Sequence, residues 1–176
     1  MELNINCLKD IPEVKTIQNS ISRDERGYFN KMYFKELSQN LNFFIDEVFY
    51  SVNKKNVIRG IHYQNEEEEL EKIITCLDGE ILDFFIDLRK SSKNYGKHSS
   101  ITLSSDNKSS VYIPKGFGHG FSVLSENATV LYLQSGHYNT DAERGVNPLS
   151  VDFDWQVDVP IMSQRDLSHP DLENLK

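Results

Sequence analysis

From about residue 45 onward the chain is a train of short β-type runs broken by turn residues: EVFYSV, VIRGIHYQ, KIITCL, ILDFFIDL, SSITLS, SVYIP, FSVLS and TVLYLQS. Runs of this length at this regular spacing close into a sandwich or a barrel. A parallel sheet would need long helical crossovers between strands. The main helical candidate, Phe34 to Leu41 with Leu37 and Leu41 at i, i+4, is short. Between Leu82 and Arg89, Leu82, Phe84, Ile86 and Leu88 share one face while Asp83, Phe85, Asp87 and Arg89 share the other, which reads as a strand with one greasy side. Asp78-Gly79 leads into that strand and Ser105-Asp106-Asn107 separates two others, both with suitable turn chemistry. The tail after Trp155, rich in Asp, Pro and Ser, reads as irregular structure packed on the barrel. The expected fold class is all-β, with short peripheral helices.

The 176 residues suffice for one domain with a sizeable core, so residues 1–176 are read as a single unit. A formal charge of -8 gives no support to a general nucleic-acid role. No apolar run approaches a membrane span and the N-terminus lacks a basic head followed by an apolar stretch, so the expected location is the cytoplasm, with no membrane partner. Cys7 and Cys76 are too few for a disulfide framework, lack metal-knuckle spacing, and read as ordinary apolar residues.

Four stretches carry candidate chemistry. In Arg23-Asp24-Glu25-Arg26-Gly27-Tyr28-Phe29 two arginines flank a turn, either as a solvated surface or as forked donors for phosphate. Arg59-Gly60-Ile61-His62-Tyr63-Gln64 places polar groups in an apolar strand. Alone, His62 reads as a satisfied core histidine before it reads as a base. Strict alternation sets Arg59 and His62 on opposite faces, so a bulge at Gly60 is needed to bring both to one pocket. Lys72 shares a face with Ile74 and Cys76 and either snorkels from a barrel mouth or serves a site. The acidic run Glu66 to Glu69 before it reads as a solvated loop. The fourth stretch is Pro114-Lys115-Gly116-Phe117-Gly118-His119-Gly120-Phe121, followed by Tyr132, which either hydrogen-bonds locally or acts as a general acid. His98, His137 and His169 have no comparable setting, although His137 and Tyr138 are placed to line a ligand pocket.

Taken together, Asp24-x-Arg26-Gly27-x-Phe29, SVNKKNVIRGIHYQ from Ser51 to Gln64, Lys72, GEILDFFIDLRKSSKNYGK, PKGFGHGFSVLSENA, Tyr132 and Ser163-Gln164-Arg165-Asp166 resemble the dTDP-4-dehydrorhamnose 3,5-epimerase family over nearly the whole chain. The resemblance implies a homodimeric cupin (jelly-roll) barrel without metal or organic cofactor, acting on a nucleotide sugar for surface-polysaccharide synthesis. It implies His62 as base with Asp166 beside it, Tyr132 as acid and Lys72 near the substrate's keto oxygen. His119 is implied in support, Arg26 and Arg59 as diphosphate contacts, and Phe29, Ser51 and Gln64 as further substrate-binding positions. The arm carrying Arg26 is implied to reach the partner subunit. A proton beside a ketone becomes removable when the enolate is stabilised by a nearby cation. An acid facing the base then inverts the carbon, and both C3 and C5 adjoin a 4-ketone.

The nucleotide pocket departs from the pattern. Asn30-Lys31 stands where the family carries a glutamate, and Glu47-Val48-Phe49 where it carries Gln-x-Asn. A carboxylate at Glu47 matches the N1–H and N2–H pair of guanine, which thymine does not offer. With Lys31 and Tyr138 as further contacts, the expectation is a GDP-linked 4-keto-6-deoxy sugar, hexose or heptose, in preference to a dTDP-linked one. Gly145-Val146-Asn147-Pro148-Leu149 is shorter than the family's equivalent. A metal-dependent cupin is disfavoured, because His62-Tyr63-Gln64 replaces the His-x-His pair and two lone histidines make a poor site. C3-only epimerisation, 3,4-ketoisomerisation and non-catalytic sugar binding by a cupin barrel compete with double epimerisation for the same residues.

Overall fold

A computed structural model describes residues 4–175. Its strands are β1 (Asn4–Cys7), β2 (Lys15–Gln18), β3 (Ser20–Asp24), β4 (Gly27–Lys31), β5 (Glu47–Lys54), β6 (Ile58–Gln64), β7 (Glu71–Asp78), β8 (Glu80–Asp87), β9 (His98–Ser104), β10 (Ser109–Ile113), β11 (Phe117–Val123), β12 (Asn127–Ser135) and β13 (Glu143–Gly145). Two short helices accompany them, α1 (Lys35–Leu41) and α2 (Gln164–Leu167). Every expected run from EVFYSV to TVLYLQS is a strand, and the helical candidate forms with Phe34 as its N-cap.

A six-stranded sheet ordered β1-β2-β10-β7-β12-β5 faces a five-stranded sheet ordered β13-β6-β11-β8-β9, while β3 and β4 form a separate hairpin. The ladders are antiparallel. This is the jelly-roll barrel of cupin type that the resemblance implies. Among the described residues no helix is long and apolar enough to cross a membrane.

Period-two alternation sorts each strand between the barrel interior and an outer layer. Ile74, Cys76, Val111, Val130, Ile81, Phe85, Leu103 and Phe121 fill the interior. The outward-facing Ile73, Tyr112 and Leu133 are covered by Leu37 and Leu41 of α1 together with Phe43. On the other sheet Phe84 packs against Phe153 and Trp155, so the irregular tail covers that face as expected. Cys76 is buried in the core, whereas Cys7 is exposed.

One expectation is corrected. Strand β8 is buried on both sides: the face with Asp83 and Asp87 is not the solvent side, and both carboxylates are fully buried and share the barrel interior with Ile81 and Phe85. Asp83 is paired with His119, and Asp87 with Arg89 and Ser92. Strands also begin well before residue 45, with β1 to β4 too short for alternation to register in the sequence.

Candidate active site

The inward face of several strands turns from apolar to polar at one end of the barrel. Along β12 the sequence runs Ala128 and Val130 in the core, then Tyr132 and Gln134 at a cavity, and along β7 it runs Cys76, Ile74, then Lys72. The cavity, about 460 Å³, is lined by Glu47, Phe49, Ser51, Arg59, His62, Gln64, Lys72, His119, Tyr132 and Tyr138 among the expected or discussed positions. Tyr63, Leu70, Phe121, Gln134, Glu143 and Arg165 complete it.

Arg59 and His62 reach this cavity together because of a register shift against β11. His119 opposes His62 and Phe121 opposes Arg59, so β6 spends one more residue than its partner between the two pairs. Gly60 makes the shift possible. It sits at φ 120, and a Cβ there would lie 2.5 Å from the Gly120 Cα. The expected Gly60 bulge is therefore present.

His62 Nε2 lies 2.8 Å from Asp166 Oδ1. Asp166 sits on α2, whose first turn is capped by Ser163 Oγ accepting from the Asp166 N–H, and the carboxylate also accepts from the Gly60 N–H. Burial works to raise the Asp166 pKa, but the hydrogen bond and charge of His62, with the Gly60 and Ser163 donors, hold it below the usual carboxylate value. An ionised carboxylate only accepts, so Nε2 carries a proton and the nitrogen available to act as a base is Nδ1.

Lys72 is partly buried, and burial lowers its pKa to about 8 against the opposing pull of Glu143 and Asp83. Tyr132 is pushed well above the ordinary tyrosine value by burial and then by the Asp83 charge, while Ser51 and Arg59 pull the other way. It is therefore a protonated donor at neutral pH. Its ring stacks on Phe49 at 4.7 Å and meets His119 edge-on at 6.1 Å. His119 Nε2 lies 2.8 Å from Asp83 Oδ1, a buried pair beneath Tyr132 and Lys72. Burial raises the Asp83 carboxyl while His119 and Lys72 lower it.

The remaining positions divide. Arg59 Nε donates to Asn53 Oδ1 at 2.6 Å. Gln64 donates to the Glu68 and His137 carbonyls and accepts from the Asn139 N–H, so it braces the rim. Glu47 faces the cavity with its oxygens engaged by the Gln134 amide and the Tyr138 N–H, each at 3.0 Å. Tyr138 donates to Glu143, which is ion-paired with Arg165. Arg26, Phe29 and Lys31 do not line this cavity. They lie on the β3–β4 hairpin, where Arg26 is exposed and pairs with Asp24 across the turn.

Sequence reasoning missed Asp83, Glu143, Arg165 and His169. Asp83 was legible as a polar residue in phase with the interior Phe85. His169 lacks any local pattern, yet its ring stands 5.8 Å from that of His62.

The profile of the dTDP-4-dehydrorhamnose 3,5-epimerase family matches residues 9–174. A curated dTDP-4-dehydrorhamnose 3,5-epimerase of Shigella flexneri is 36% identical over 172 residues, covering 93% of this chain and 94% of that protein. Among solved structures, the dTDP-6-deoxy-D-glucose-3,5-epimerase of Legionella pneumophila in complex with dTDP-4-keto-L-rhamnose superposes with a TM-score of 0.93 at 30% identity, covering 99% of this chain and 95% of that one. NovW, a 4-keto-6-deoxy sugar epimerase from the novobiocin biosynthetic gene cluster of Streptomyces spheroides, gives 0.93 at 31% identity, covering 98% and 89%.

Proposed function

The chain belongs to the dTDP-4-dehydrorhamnose 3,5-epimerase family and is an isomerase, and on that premise we propose that residues 1–176 form one epimerase domain inverting carbons beside the 4-ketone of a nucleoside-diphosphate-linked 4-keto-6-deoxy sugar. The observation that carries the reading is the His62–Asp166 pair, 2.8 Å apart, in a cavity also lined by Lys72 and Tyr132.

The residues fit the steps of that reaction. His62 Nδ1 takes the proton from the carbon beside the ketone, and the C–H electron pair moves into the enolate. Asp166 holds the ring and stabilises the imidazolium. The Lys72 ammonium stabilises the developing oxyanion. Tyr132 comes from the sheet facing that of His62 and returns a proton to the opposite side of the carbon, giving inversion. His119 and Asp83 support Tyr132 and Lys72 from below, and Arg59 contacts the diphosphate. Because C3 and C5 both adjoin the ketone, one base and one acid serve both when the ring is repositioned between steps.

Relatives carry dTDP in their names, which makes thymidine the first nucleotide reading. Glu47 at the cavity supports guanine as a second. Each of its oxygens retains a lone pair beyond those engaged by Gln134 and Tyr138. A homodimer is supported by the exposed Val48, Tyr50 and Val52 of edge strand β5, and by exposed Tyr28 and Phe29 on the hairpin that carries Arg26.

Incubation with dTDP- and GDP-linked 4-keto-6-deoxy sugars in heavy water, read by NMR at each carbon, tests the reading. Deuterium at C3 and C5 is expected. Label at C3 alone indicates the 3-epimerase, and no label with either nucleotide overturns the proposal.

A further inference from the structure

His169 is a residue that the epimerase chemistry does not use, and its setting is unusual. Its ring packs edge-on against His62, and it lies directly over Gly145, the residue that opposes His62 in the β13–β6 ladder. A Cβ at position 145 would come within 2.3 Å of the imidazole, so a glycine there is what lets the ring approach. His169 Nε2 is buried with no hydrogen-bond partner. Buried imidazole nitrogens are ordinarily satisfied, and an orphan beside a second histidine and a carboxylate calls for an explanation.

One donor atom from each of His62, Asp166 and His169 lies within 4.8 Å of the others. We propose that these three residues form a binding site for a zinc-class divalent cation, which occupies the dyad and blocks it. Two imidazoles and a carboxylate make a donor set suited to zinc, cobalt or nickel. Tetrahedral bonds of about 2.1 Å place donors roughly 3.4 Å apart, so the widest pair has to close by about 1.4 Å at most, within reach of side-chain rotation.

The protonation states favour the ion. Burial and the His62 charge hold the His169 pKa below the ordinary histidine value, so the ring is neutral at physiological pH. Asp166 is ionised. Binding through Nε2 replaces the hydrogen bond to Asp166, and the proton held there moves to Nδ1, which leaves the ring neutral and takes away the lone pair a base needs. The charges facing the site are Glu143, which attracts the ion, and Arg165, which opposes it but is itself ion-paired with Glu143. Access is open from two sides. His62 lines the catalytic cavity, and His169 lines a neighbouring cavity of about 630 Å³ behind Tyr63 and Gly145. The fourth coordination position is left for water or a substrate oxygen.

The site stands on geometry alone, and only its inhibitory consequence rests on the reading of His62 as the base. Calorimetric titration of the metal-free protein with Zn²⁺ tests the first, and Co²⁺ absorption gives an independent signature. One ion per chain is expected, with weaker binding in acid, where protons compete with the ion for the imidazole nitrogens. In His169→Ala affinity falls by at least roughly tenfold, with His169→Asn as the substitute should the alanine variant not fold. Equal Zn²⁺ affinity in the parent protein and the variant, or no saturable binding, overturns the site. Chelator-reversible loss of solvent exchange at the same Zn²⁺ concentrations supports the blocking role. Saturation of the site with exchange undiminished retains the site but overturns the block.

Discussion

Replacing Asp166 by Asn keeps the shape of the dyad and removes its charge. In the parent protein the carboxylate lies 2.8 Å from His62 Nε2, is 4% exposed, and is held ionised by His62, Gly60 and Ser163. A hydrogen bond from an imidazolium to a buried carboxylate contributes about 1.5–3 kcal/mol. That interaction is made in full only after the proton has moved to His62, so its loss falls on the barrier. At about 1.4 kcal/mol per factor of ten, Asp166→Asn lowers the exchange rate by roughly 10- to 150-fold. The amide can also donate to Nε2 and drive the proton onto Nδ1, the wrong tautomer for a base, which adds to the loss. The assay is deuterium uptake into substrate under saturating conditions, alongside nucleotide affinity and thermal melting. The expected pattern is a fall in kcat with affinity and melting temperature nearly unchanged. A variant within twofold of the parent rate would refute the role assigned to Asp166.

Other expectations concern the rest of the cavity. With its pKa lowered to about 8, Lys72 loses its charge as pH rises through that value, so kcat/KM falls tenfold per pH unit above about 8. Lys72→Arg, which stays charged, should remove that limb from the pH–rate profile. Tyr132→Phe removes the donor while keeping the stack on Phe49. It should leave proton abstraction detectable by exchange while epimerised product falls by roughly 10²-fold or more, measured by comparing label uptake with product formed. Gly60→Ala drives a Cβ against Gly120 at positive φ. It should cost about 3 kcal/mol or more, a fall of roughly 6–12 °C in melting temperature by calorimetry.

The sequence was most legible where both the period and the chemistry were local. Strands β5 to β12 alternate over seven or more residues in most cases, long enough for a period of two to declare itself. The hairpin and the strands before it span four or five residues and carry no such signal. In β8 the period was right and its meaning was not: a barrel that opens into a polar cavity takes carboxylates on its inner face, so Asp83 and Asp87 are inside with Phe85. His62, Lys72 and Tyr132 were placed by motif, and the fold brings them to one cavity. Asp166 reaches His62 across 104 positions of chain, which no spacing rule anticipates and only the family pattern suggested. His169 carries no such pattern, and its approach depends on the missing side chain of Gly145. The hairpin residues Arg26, Phe29 and Lys31, placed at the substrate by the family pattern, lie outside the cavity.

The central claim is that His62 removes the substrate proton, and the most direct measurement is solvent deuterium uptake by His62→Asn beside its nucleotide affinity. Exchange abolished at both carbons with binding largely intact is the predicted result. Exchange at the parent rate in a folded, nucleotide-binding variant would contradict it.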